Sequence, residues 1–201
     1  AAAVFPGSRD VLVTGGSRGI GLQMAEALGE MGASIALVAR KQDELDAARA
    51  QLEASGVEVL THAGDLSARA SVAPLVDAIL VRWERIDILV NNAGTNWGAA
   101  AEDHPDSGWR KVMDLNIDAA FFLCREVGKR TMIPRRSGKI INIASIAGMV
   151  GTPTGWDMLT VGYNTSKGAL IQLTRALAAE WGKYNINVNA ICPGFFRSKM
   201  T

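Results

Sequence analysis

The sequence predicts an α/β fold, three layers deep, built on a doubly wound parallel sheet. Short apolar, β-branched runs recur along the chain, and the gaps between them carry helical periodicity over lengths sufficient to cross a sheet. A glycine-rich turn follows the first apolar run, the place where such sheets bind ligands.

Taken in order, strands are expected over 11–13, 35–38, 57–61, 86–90, 139–143 and 187–191. Helices are expected over 19–31, 43–54, 68–83, 107–132 and 163–184, so almost every pair of successive strands is separated by a crossover helix and the strands run parallel. Right-handed crossovers then place helices on both faces, and a sheet of the dinucleotide-binding kind would be ordered 3-2-1-4-5-6. The irregular stretches 95–106 and 148–160 follow the fourth and fifth strands, where ligand-binding loops gather. With no repeat, linker or low-complexity segment, residues 1–201 read as a single domain.

Composition narrows the function. A chain of 201 residues, 48% hydrophobic, can bury one sizeable core. The formal net charge is +1 and the Lys and Arg residues are scattered apart from Arg135-Arg136, which argues against a nucleic-acid groove or an anionic membrane surface. Small molecules and further copies of the chain are the expected partners. Cys124 and Cys192 lack the spacings of metal sites or disulfide frameworks and read as reduced thiols of a cytoplasmic protein. The opening 1–5 is too short for a signal sequence, and no apolar stretch approaches membrane-spanning length.

The chemistry lies in Tyr163 and Lys167, four residues apart and therefore on one helix face. A phenol with a pKa near ~10 is a poor proton donor or acceptor at neutral pH, and an adjacent ammonium lowers that pKa toward a usable range. Surface helices often carry such a pair, so its meaning depends on the other motifs. Thr14-Gly-Gly-Ser-Arg-Gly-Ile-Gly21, between the first strand and the first helix, supplies backbone N–H groups and a helix N-terminus for a pyrophosphate.

Together, Thr14-Gly15-x-x-x-Gly19-x-Gly21, Asn91-Asn92-Ala93-Gly94, Asn116, Ser145, Tyr163-x-x-x-Lys167 and Pro193-Gly194 span the chain in an order that resembles the single-domain branch of the short-chain dehydrogenase/reductase family. The resemblance implies a Rossmann-like fold that binds NAD(H) or NADP(H) and moves hydride between the nicotinamide and a carbonyl or alcohol carbon. It makes Tyr163 the proton donor, Lys167 the holder of the nicotinamide ribose, Ser145 the hydroxyl that positions the substrate oxygen and Asn116 the holder of a proton-relay water. It assigns cofactor contacts to Gly15, Ser17, Arg18, Gly19, Ile20 and Gly21, to Asp65 at the adenine amino group with Leu66 beside it, to Asn92, Ala93 and Gly94, and to Pro193, Gly194, Phe196 and Ser198. No metal is implied. Read without the family, Asp65 equally suits a helix N-cap. Ser145 and Tyr163 are farther apart than the family commonly shows, because 151–160 resembles an insertion; Trp156 and Met158 in it would either shape the pocket or belong to a surface loop.

The second strand ends Val38-Ala39-Arg40-Lys41 with no carboxylate, and Arg18 adds a second cation, so NADP(H) is favoured, with NAD(H) the alternative. The expected activity is NADPH-dependent reduction of a ketone or 3-oxoacyl carbonyl to a secondary alcohol. The alternatives are an NAD-dependent dehydrogenase of a polyol, sugar acid or hydroxysteroid, and a catalytically silent nucleotide binder. Relatives pair the helices corresponding to 107–132 and 163–184 between subunits, which implies a homodimer or homotetramer; Ala119, Ala120, Ala176 and Ala179 would serve that pairing or simply cover the sheet. Relatives also continue through a substrate lid to a last strand and helix, expected beyond Thr201.

Overall fold

Valine, isoleucine and leucine alternate between two buried faces along the inner strands of a parallel sheet, and this pattern builds it. The computed structural model describes residues 9–151 and 158–194. The strands are β1 (Arg9–Thr14), β2 (Ala33–Ala39), β3 (Val59–Ala63), β4 (Ile88–Asn91), β5 (Gly138–Ile143) and β6 (Ile186–Ile191), in the order β3-β2-β1-β4-β5-β6. This is the order expected from sequence. Val11 is in register with Ile35 of β2 on one side and Ile88 of β4 on the other, so the chain winds outward from β1 in both directions. The crevice beyond the carboxyl ends of β1 and β4 is where such sheets bind ligands.

Among the described residues seven α-helical segments flank the sheet: α1 (Gly19–Glu30), α2 (Gln42–Glu53), α3 (Val72–Trp83), α4 (Asp106–Met113), α5 (Ala119–Val127), α6 (Ile133–Arg135) and α7 (Val161–Trp181). Leu12, Val38, Leu89 and Ile140 point into a core shared with α3, α5 and the end of α7, where Trp181 is buried. Val11, Val13, Ile35, Leu37 and Val90 point the other way, onto Ala25 of α1 and Leu45, Ala48 and Leu52 of α2. Burial on both faces explains why these strands are almost continuously apolar.

Several bounds differ from expectation: α3, expected from 68, begins at Val72 after a 3-10 turn at Arg69–Ser71, and α7 ends at Trp181. Val57 packs against Gly29 of α1 and β3 begins only at Val59. β4 is assigned from Ile88, although the Asp87 backbone already bonds Asp10 and Lys139, and the Asp87 side chain is held by Arg85 at 3.1 Å and Arg135 at 2.7 Å. The helix expected over 107–132 follows one path but contains two wide π-turns, Asp114–Asp118 and Gly128–Met132. Each lengthens the hydrogen-bond step by one residue and rotates the faces after it.

At the amino end of the sheet, Arg85 also reaches Asp10 at 2.9 Å, and Asp10 N–H donates to Asp87. Burial raises the Asp87 pKa, but the Arg135 and Asp10 hydrogen bonds and the two arginine charges outweigh it and hold Asp87 below its ordinary value. Burial dominates at Asp10 and pushes it up. Ala119 and Ala120 are buried in the subunit and cover the sheet, whereas Ala176 and Ala179 are exposed. Among the described residues no helix is long and apolar enough to cross a membrane.

Candidate active site

Thr14 joins the two loops that open the crevice. Its hydroxyl oxygen accepts the N–H groups of Asn92 and Ala93, each at 2.9 Å, and its own proton goes to the Val90 carbonyl at 3.3 Å. Asn92 returns two bonds from its amide, to the carbonyls of Thr14 at 2.9 Å and Gly15 at 3.2 Å. A Cβ on Gly21 would lie 2.5 Å from Asn92 Nδ2 and against the Gly15 carbonyl oxygen, so only glycine lets α1 begin this close to the turn. No side chain caps α1, whose first N–H groups are therefore left to a ligand.

At the other end, β5 delivers Ser145 and α7 delivers Tyr163 and Lys167. Lys167 is buried, and its Nζ donates to the Ile143 carbonyl at 2.6 Å while lying 5.6 Å from the centre of the Tyr163 ring. Burial pushes the ammonium down to about 8. Ser145 Oγ accepts the Ala147 N–H at 3.1 Å, which fixes the oxygen and leaves the hydroxyl proton to be donated. The turn after Ser145, Ile146–Gly148, lies directly on α7: a Cβ on Gly148 would sit 2.5 Å from the Lys167 carbonyl carbon and 2.7 Å from the Gly168 nitrogen. Pro193 closes the same wall, its carbonyl accepting Ile146 N–H at 3.0 Å.

Asn116 sits in the first π-turn and is buried behind this wall. Its Oδ1 accepts Thr95 N–H at 2.8 Å, and its Nδ2 donates to the Thr95 carbonyl at 3.0 Å and to Ser166 Oγ at 2.9 Å. Ser166 in turn donates to the Tyr163 carbonyl at 2.8 Å. The Asn116 side chain thus ties the loop after β4 to the second turn of α7. That loop is tied a second time by Ala99 N–H, which donates to Leu159 at 2.9 Å.

At the far end of the crevice, Ser17, Arg18 and Lys41 surround the carboxylate of Glu44, which reaches in from the first turn of α2. Lys41 foremost, with Arg18 and Ser17, holds the Glu44 carboxyl below its ordinary value. Arg40 is exposed and forms no ion pair with any described residue. Asp65 also faces the crevice, but its Oδ1 caps a local turn, accepting Ser67 N–H at 3.0 Å and Ser67 O–H at 2.8 Å. The helix N-cap alternative read from sequence is not realised, because the N-cap positions of the following 3-10 turn and of α3 are Ala68 and Ser71.

These elements enclose a groove of about 580 Å3. The glycine loop with Ser17, Arg18 and Ile20 forms one wall, Arg40, Asp65 and Leu66 form the far end, and Asn92, Ala93 and Gly94 form the floor. Ser145, Tyr163, Lys167, Pro193 and Gly194 form the near end. Asn116 does not line the groove, Met158 is exposed away from it, and Phe196, Ser198 and Trp156 lie outside the described residues.

The short chain dehydrogenase family model matches residues 9–201. The chain belongs to the short-chain dehydrogenase family. The rhamnolipid-biosynthesis 3-oxoacyl-[acyl-carrier-protein] reductase of Pseudomonas aeruginosa is 41% identical over 196 residues, covering 96% of this chain and 75% of that one. The NAD-dependent glycerol dehydrogenase of Listeria innocua is 39% identical over 182 residues, covering 90% and 68%. The crystal structure of a gluconate 5-dehydrogenase from Burkholderia cenocepacia, in complex with NADP and tartrate, superposes with a TM-score of 0.88 at 33% identity, covering 96% and 74%.

As a short-chain dehydrogenase the protein is an NAD(P)-dependent oxidoreductase of carbonyl and alcohol groups. Its residues fit the cofactor: Gly19 lines the groove with open space where a side chain would stand, and the groove runs from the start of α1 to Lys167. Sequence reasoning missed Thr14 and Ser166 as organisers and Lys41 and Glu44 as groove residues. Thr14, Ser166 and Lys41 stand inside the quoted motifs, so proximity was the available signal. Glu44 had only its position three residues after Lys41.

Proposed function

We propose that this short-chain dehydrogenase uses NADPH to reduce a ketone or 3-oxoacyl carbonyl to a secondary alcohol, with Tyr163 as the proton donor. The observation that carries the reading is the buried Lys167 ammonium held by Ile143 beside the Tyr163 ring, on the wall shared with Ser145. The nicotinamide, when bound, supplies the hydride for the substrate carbon. Ser145 holds the substrate oxygen with the proton that Ala147 leaves free, and Tyr163 delivers its own proton as charge builds there. Lys167 stabilises the phenolate that Tyr163 becomes and holds the nicotinamide ribose. Asn116 orients this machinery through Ser166 and Thr95.

Arg18, Arg40 and Lys41 at the adenosine end support NADP(H). So does the NADP complex of the gluconate 5-dehydrogenase. A second reading, NAD-dependent oxidation of a secondary alcohol, is favoured by the Glu44 carboxylate in the same corner and by the NAD-dependent glycerol dehydrogenase relative. A homodimer or homotetramer in the cytoplasm is the proposed state, with exposed Ala176, Ala179 and Phe121 available for subunit pairing.

The test is a side-by-side titration of NADPH and NADH by nicotinamide fluorescence, followed by ketones and 3-oxoacyl thioesters with the reduced cofactors and polyols with the oxidised ones. Tighter NADPH binding with oxidation by a carbonyl compound supports the reductase. Tighter NADH binding with polyol turnover selects the second reading, and binding without any turnover overturns both.

A further inference from the structure

Three donors of different chemistry converge on one carboxylate at the adenosine end of the groove. Arg18 Nη1 and Lys41 Nζ lie 3.0 and 3.2 Å from Glu44 Oε1, and Ser17 Oγ donates to Oε2 at 3.3 Å. Ser17 and Arg18 come from the glycine loop, whereas Lys41 is the N-cap of α2 and Glu44 lies in its first turn, so two segments distant in sequence meet here. A hydroxyl, a guanidinium and an ammonium disposed around two acceptor oxygens are the donor set of a phosphate site. Arg40, on the same wall, has no ion-pair partner among the described residues.

We propose that Glu44 occupies the subsite for the adenosine 2′-phosphate when no cofactor is bound, and thereby sets how strongly NADPH is preferred over NADH. The inference rests on the NADP(H) reading above. A 2′-phosphate entering this corner must take Ser17, Arg18 and Lys41 from Glu44 and then remain beside a displaced like charge. A 2′-hydroxyl meets no such opposition, because it can donate to the carboxylate where it stands. Glu44 is therefore a specificity-determining residue that opposes the cations around it: it lowers affinity for the phosphorylated cofactor and leaves the other unharmed.

The test compares adenosine 2′,5′-bisphosphate with adenosine 5′-monophosphate by titration calorimetry on the wild-type protein and on Glu44→Gln, with NADPH and NADH titrated by fluorescence in parallel. Glu44→Gln should bind the 2′,5′-bisphosphate and NADPH tighter by roughly two- to fivefold, the size of one partly screened charge interaction, with the monophosphate and NADH unchanged or weaker. The gain should shrink as salt is raised. Unchanged or weakened 2′,5′-bisphosphate binding in a variant that keeps its monophosphate affinity overturns the inference, because Glu44 would then be neutral toward the phosphate or position the cations for it. A wild-type protein that binds both adenosine ligands equally sinks the NADP(H) reading instead. The variant still decides in that case: gained preference for the 2′-phosphate keeps the role of Glu44, and no gain removes it. Glu44→Ala provides the same comparison if the glutamine retains the Lys41 contact.

Discussion

Lys167 Nζ donates to the main-chain carbonyl of Ile143 at 2.6 Å, which ties the last residue of β5 to the second turn of α7. The bond holds a buried ammonium beside the Tyr163 ring and keeps it there at a cost in solvation. That cost appears as the pKa of about 8, against 10.5 for an ordinary lysine.

Activity and stability should therefore respond to alkali in opposite directions. The folded pKa lies below the unfolded one, so the penalty for burying a charged Lys167 is fully present below about pH 8 and is relieved as pH rises from about 8 toward 10.5. Carbonyl reduction needs the ammonium, so kcat/KM should fall above about pH 8 while denaturant stability gains. A pH series of both quantities checks this; Lys167→Met should remove the stability gain, and a variant that kept it would assign the gain to another group.

Tyr163→Phe removes the donor proton and retains the ring beside Lys167. Turnover should drop by roughly 10²- to 10⁴-fold, the range for a general acid, with the cofactor dissociation constant almost unchanged. Single-turnover kinetics and fluorescence titration separate the two, and wild-type turnover would end the assignment of Tyr163.

Gly148→Ala introduces a methyl group 2.5 Å from the backbone of Lys167. The Ile146–Gly148 turn must lift from α7 and carry Ser145 with it. A displacement of about an ångström predicts a loss of up to roughly 10²-fold in kcat, with cofactor binding much less affected. Equal losses in both would indicate general unfolding of the wall.

Thr14→Val keeps the shape of a buried side chain and removes the acceptor for Asn92 and Ala93 N–H. Leaving buried donors unpaired should lower stability by about 1–3 kcal/mol in urea unfolding and loosen the cofactor groove. Thr14→Ser should recover most of the loss.

The alternation of strands and helices, the glycine loop and the Tyr163–Lys167 pair were legible because each depends on short-range pattern, and the sheet order followed from the fold class they indicate. Two-residue alternation marks Val11 and Leu12 for opposite faces, glycine marks a backbone approach, and a spacing of four marks one helix face. Asn116 was found by family resemblance, but its side chain is held by Thr95 and Ser166, a partnership that spans 21 and 50 residues of sequence. The π-turn that carries it was read as part of one continuous helix.

The sequence by itself determined the order of strands and helices and the residue types available to the groove. Tertiary structure decided how those residues are used. Arg18 and Arg40 read alike along the chain, yet the fold commits Arg18 to Glu44, 26 residues away, and leaves Arg40 exposed. Lys167 is an ordinary lysine in sequence and has a pKa of about 8 only where β5 and α7 exclude water from it. Local patterns follow from backbone geometry within a few residues, whereas ion pairing and desolvation depend on which distant segments packing brings together.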